Sequence, residues 1–143
     1  MKFGLSTLLS ALLFSSALAQ RISIGCPTDG ASVAAGSNIT VEVDRPNSLS
    51  GSTEVAIVIG LNPCQNGNCL PASDILGHIL YNGPYDPNYS QTAFFKPPHQ
   101  NFTVTIPPEV QPGLAQLAVF HVSLIGAGPA PFTEIQNVTL HVQ

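Results

Sequence analysis

Tryptophan is absent from this chain, and charge is scarce. Asp, Glu, Lys and Arg together make up 8% of the residues, against about 25% in ordinary globular proteins. Only four residues are basic. One of them, Lys2, opens an apolar leader, which leaves Arg21, Arg45 and Lys96 to face eight carboxylates. Three scattered cations cannot form a basic patch, so neither nucleic acid nor an anionic membrane surface is an expected partner. Without tryptophan, the strongest side chain for stacking on sugars is missing. The Gly-x-Ser-x-Gly elbow of serine hydrolases is also missing. The four histidines, at 78, 99, 121 and 141, include no His-x-His or His-x3-His pair, so no metal site is expected. Asp29, Glu42, Asp44 and Glu54 fall in a turn or at strand ends, the usual solvated positions for acids, and offer no carboxylate pair for glycoside hydrolysis. No catalytic constellation and no cofactor site is read from these residues.

What is present points outside the cell. Lys2, the apolar stretch from Leu5 to Leu18 and the small-x-small triplet Ala17-Leu-Ala19 read as a secretory leader over residues 1–19. The rest, residues 20–143, reads as one domain, large enough to bury its own core. No apolar tail follows the last predicted strand, so no lipid or membrane anchor is expected. Four N-glycosylation sequons follow the leader: Asn38-Ile-Thr, Asn88-Tyr-Ser, Asn101-Phe-Thr and Asn137-Val-Thr. Three of them open alternating runs. In a strand, neighbouring side chains point to opposite faces. Ile39, Val41 and Val43 therefore share one face while Asn38, Thr40 and Glu42 share the other. The same parity holds from Asn101 and from Asn137. Each time the sequon Asn falls on the polar face, where a glycan must stand. Such glycans would supply the solubility that the sparse charge does not.

Three cysteines allow at most one intramolecular disulfide. Cys64 and Cys69 flank Asn66-Gly67, a strong turn signal, and are the expected pair. Cys26 is expected to stay free, as a buried or half-buried thiol rather than an intermolecular bridge.

Strand signals recur at short spacing: Arg21–Ile24, Asn38–Val43, Thr53–Leu61, Asn101–Ile106, Leu114–Ile125 and Phe132–Val142. Thr53–Leu61 and Leu114–Ile125 are apolar on both parities, as central strands are. Residues 73–80 fit a short helix or a strand equally. From Asn82 to Pro98 the chain reads as a long loop, with an edge strand near Thr92–Lys96. About seven strands and no long helix predict an all-β, immunoglobulin-like antiparallel sandwich. The long loop carries most of an aromatic group, Tyr81, Tyr85, Tyr89, Phe94 and Phe95. Long loops on a rigid scaffold often carry function, and rings favour interfaces, so this group is the candidate contact loop. The competing reading has the rings capping the open end of the sandwich.

Two resemblances add to this. The opening strand, Pro27-Thr-Asp-Gly30, the small-residue run Ala35-Gly-Ser37 and Asn38-Ile-Thr-Val41 resemble the start of the immunoglobulin-like module in fungal cell-wall glucan-assembly proteins. The runs Arg45-Pro-Asn-Ser-Leu-Ser-Gly-Ser-Thr-Glu-Val-Ala-Ile57 and His121-Val-Ser-Leu-Ile-Gly-Ala-Gly-Pro-Ala-Pro-Phe132 resemble a group of small secreted proteins of mushroom-forming fungi. Together with these, the leader, the placement of the sequons, the sandwich pattern and the absence of a site make the expectation a secreted, non-enzymatic protein that acts by contact at the cell wall or outside the cell. Its expected partner is cell-wall polysaccharide. The alternatives are an effector or immunomodulatory protein whose partner is an extracellular protein, and a small enzyme whose site goes unrecognised.

Overall fold

The computed structural model describes residues 21–47 and 51–143. The expected leader over residues 1–19 lies outside them. Eight strands follow one another: β1 (Ser23–Cys26), β2 (Ser32–Val33), β3 (Asn38–Asp44), β4 (Ser52–Pro63), β5 (His78–Gly83), β6 (His99–Thr105), β7 (Gly113–Ile125) and β8 (Ala130–Val142). They form a three-stranded sheet ordered β1-β3-β6 and a five-stranded sheet ordered β2-β8-β7-β4-β5. All neighbours are antiparallel except β2 and β8, which run parallel. No helix occurs among the described residues, and none there is long and apolar enough to cross a membrane. The result is an all-β, two-sheet sandwich.

Alternation sets the inner faces. Val41 and Val43 of β3 meet Phe102 and Val104 of β6 on one side of the core. Ile57, Ile59 and Leu61 of β4, Leu117 and Val119 of β7, and Leu140 of β8 form the other side. Burying each such side chain contributes roughly 1.5–3 kcal/mol. The partners of these residues in alternation, Asn38, Asn101 and Asn137, are exposed, as is Asn88.

β4 carries a bulge between Glu54 and Ala56. Strict alternation would place Val55 with Ile57 on the inner face. A bulge inserts one residue and reverses the parity beyond it. Val55 is accordingly 47% exposed, and Glu54 turns inward opposite Ser123.

The segment expected as helix or strand resolves into a turn near residues 72–74 and β5 from His78. Gly77 separates them at φ +75°, a left-handed conformation that favours glycine. A Cβ on Gly60 would sit 2.5 Å from the Leu76 carbonyl oxygen, so the segment before β5 lies directly on the outer face of β4. The edge strand expected near Thr92–Lys96 is instead a run of turns. Ser90 Oγ accepts from the Thr92 and Ala93 amides there, which uses donors a ladder would need.

Distant stretches of chain are stitched together along β8. Gln143 N–H donates to Val33 O and Gly30 N–H to Thr139 O. Thr139 N–H donates to Asp29 Oδ1, and Ile22 N–H to Glu134 Oε1.

Candidate functional site

β5 and the loop joining it to β6 divide the five rings between two jobs. Tyr85 is 3% exposed. Its hydroxyl donates to Val43 O at 3.1 Å, and its ring stands edge-on to His121 with centroids 5.5 Å apart. Burial, and then the charges of Glu54 and Asp44, push its phenol above the usual value. Tyr81 is half-buried against the core. Its ring lies 4.6 Å from that of Phe102, and its hydroxyl donates to Pro84 O at 2.7 Å. Tyr85 was expected in a contact surface and is instead core: its position points inward over β3, where the Val43 carbonyl satisfies its hydroxyl.

The remaining three rings face solvent. Tyr89 is 60% exposed, Phe94 85% and Phe95 87%. Such exposure of two adjacent phenylalanines is uncommon on soluble proteins. The tip that carries them is braced at every turn. Tyr89 Oη donates to Asn47 Oδ1 at 2.6 Å. Asn88 and His99 exchange backbone bonds of 3.0 Å in both directions. Lys96 N–H donates to Ala93 O at 3.0 Å. Lys96 Nζ donates to both oxygens of Glu42, at 2.9 and 2.8 Å. Its hydrogen bond is the main cause that holds the Glu42 carboxyl below its usual range, while burial and the Glu42 charge raise Asp44. Gly25 makes this arrangement possible, because a Cβ there would sit 2.5 Å from Glu42 Oε1 and 2.7 Å from Asp44 Oδ2. Glu42 and Asp44 are thus partly enclosed, where plain solvated positions were expected.

A second ionic group went unread in the sequence. His121 is 1% exposed and lies between two carboxylates. Its Nδ1 donates to Glu134 Oε1 at 3.0 Å, and its Nε2 donates to Glu54 Oε2. Arg45 Nε pairs with Glu54 Oε1 at 3.1 Å, and Ser52 Oγ donates to the same oxygen at 3.0 Å. Burial pulls the His121 pKa down, but the hydrogen bonds to Glu134 and Glu54 and their charges override it and raise it to about 9. Burial is the largest influence on Glu54 and raises its pKa, but the His121 hydrogen bond and charge, the Ser52 hydrogen bond and the Arg45 charge together outweigh it, so the net shift is downward. At neutral pH the group is an imidazolium held by two carboxylates, with Arg45 balancing the remaining charge. A protonated, enclosed histidine has no lone pair to offer and no path to a substrate. The group fastens β4, β7, β8 and the chain before β1. Glu54 was expected in solvent, and the bulge at 54–56 is why it is not. One signal was available: counting outward from the turn after Ile125 sets His121 opposite Glu134 in the β7–β8 hairpin, as observed.

At the far end of β4, Cys64 and Cys69 are bonded, with Cα atoms 4.3 Å apart. Gln65 and Asn68 exchange backbone bonds of 2.9 Å across Asn66-Gly67, whose φ values of +51° and +75° make a primed turn. Cys26 is free and exposed, where a buried or half-buried thiol was expected. It lies at the edge of the three-stranded sheet beyond a bulge in β1.

The model of the Nis1 family matches residues 17–141. No curated protein matches the chain at a significant level.

Proposed function

The chain belongs to the Nis1 family, and from that premise we propose that it is a secreted, non-enzymatic protein that acts by contact at the cell wall or another extracellular surface, through the tip formed by Tyr89, Phe94 and Phe95. The observation that carries this reading is the near-complete exposure of Phe94 and Phe95 on a loop too well braced to be loose coil. Exposed rings on a pre-organised loop gain contact area at little cost in ordering entropy. The leader and the outward sequons support secretion and glycosylation. The resemblance to the wall module supports wall contact and an immunoglobulin-like description of the sandwich, and the resemblance to small secreted proteins of mushroom-forming fungi supports the same compartment.

Retention of the purified protein on insoluble glucan and chitin tests this reading, with Phe94→Ser/Phe95→Ser as the comparison. Wild-type retention that the double variant loses supports wall contact. Retention of neither supports the alternative, in which the same tip seats in an apolar pocket of an extracellular protein. Equal retention of both removes the tip from the function. The variant's melting temperature should match wild type, because neither ring is in the core.

A further inference from the structure

The outer face of the five-stranded sheet holds an apolar groove of about 250 Å³. Its floor is Phe120 and Ile135, which pair across β7 and β8. Its wall is Ala72, Ile75 and Leu76 from the segment before β5, with Ser73 and Asp74 at the polar rim. Ile75 is 42% exposed. On a chain with so little charge, an open apolar groove calls for a cover.

The sequon at Asn137 stands beside it. Ile135, Asn137 and Thr139 share the outer face of β8, with about 7 Å between successive members. Their partners across the ladder are Phe120, Ala118 and Gln116. Asn137 is therefore the next outward position after the groove floor, and its side chain is exposed. A sugar ring attached there begins within one residue's reach of Phe120 and Ile135.

We propose that the groove is the docking surface for the glycan on Asn137, whose first N-acetylglucosamine lies over Phe120 and Ile135. Pyranose rings carry apolar C–H faces that pack on aromatic and aliphatic side chains, and hydroxyl and acetamide edges that need polar partners. The groove offers both kinds of surface, the second through Ser73 and Asp74. Asn38 and Asn101 stand elsewhere, facing out from the three-stranded sheet opposite Thr105 and Glu42, and Asn88 lies in the β5–β6 loop beside Tyr89. The inference rests on the secreted, glycosylated reading above, and it gives one of the four glycans a structural task.

The test uses protein secreted from a eukaryotic host in three states: fully glycosylated, trimmed to the single Asn-linked N-acetylglucosamine, and stripped by an amidase that leaves Asp. Trimming should change nothing. Stripping should raise the fluorescence of a hydrophobic dye and lower the melting temperature by about 3 °C. In the trimmed protein, the acetyl methyl should show nuclear Overhauser contacts to the Phe120 ring. Thr139→Ala abolishes the sequon and keeps the backbone bond to Asp29, so it should reproduce the stripped state, whereas Asn101→Gln should not. Peptide mapping that finds Asn137 unoccupied overturns the inference together with the glycan reading of that sequon. An occupied Asn137 with identical dye binding and melting in all three states overturns the inference alone.

Discussion

Two ionic groups of similar composition sit on the two sheets and do different work. Lys96 and Glu42 pair on the outer face of the three-stranded sheet, and the Lys96 side chain keeps 37% of its exposure. Glu54, His121 and Glu134 pair inside the five-stranded sheet, with side chains 10%, 2% and 7% exposed. Water reaches the Lys96 ammonium and offers it an alternative, although its partner Glu42 is only 12% exposed. The second group is closed to water, so removing His121 leaves two enclosed carboxylates with only their remaining bonds from Arg45, Ser52 and the Ile22 amide. What decides the worth of each group is therefore the alternative open to its members. The aromatic loop divides the same way: Tyr85 answers to the interior and Tyr89 to solvent, four positions apart.

The sharpest way to break the comparison is His121→Leu. Two carboxylates would then share a buried space with Arg45 paired to Glu54 alone, and urea unfolding should report a loss of about 3–5 kcal/mol. Lys96→Met removes the cation of the outer pair and leaves Glu42 beside Asp44, and the same measurement should find a clearly smaller loss, because Lys96 itself stands in water. Equal losses at the two sites would mean that burial does not separate them.

The inner group should also respond to pH. The His121 pKa is raised from 6.5 to about 9 in the folded protein, so the stability it lends is complete below pH 6.5 and lost as pH rises through 9. The Glu54 pKa is lowered from 4.5, so its share is present above pH 4.5 and lost on acidification. Stability should therefore decline on both sides of a plateau. In His121→Leu the alkaline decline should vanish, as scanning calorimetry at stepped pH would register.

The smallest effect concerns the two tyrosines. Tyr85→Phe leaves the Val43 carbonyl short of a buried donor and should cost about 1 kcal/mol. Tyr89→Phe loses only a solvent-facing bond to Asn47 and should leave the melting temperature in place. A larger loss at Tyr89 would mean that the tip is part of the core's cooperative unit.

How much of this was legible before the fold was seen follows from the same physics. Asn38–Val43 and Asn101–Ile106 alternate strictly, and both strands lie where alternation puts them, because a sheet with one wet face leaves a period of two in the sequence. The Cys64–Cys69 turn was legible because Asn66-Gly67 specifies its own geometry. Glu54 was not. The bulge after it depends on pairing with β7, and an extra residue in one strand leaves no local mark. Tyr85 and Tyr89 are chemically alike in the chain, and only the position of β3 beneath one of them tells them apart. β2, two residues long, has no pattern of its own and exists because β8 offers it an edge.

That edge governs the order of folding. The bonds from Ile22 to Glu134 and from Thr139 to Asp29 span 112 and 110 positions, and closing such distances is slow because the entropy must be spent before the contact forms. Neither β2 nor the inner ionic group can assemble until β8 has been synthesised and laid beside β7. The inner faces of β3, β6, β4 and β7 can cover one another before then, so the last part of the molecule to close is the seam where the two ends of the chain meet.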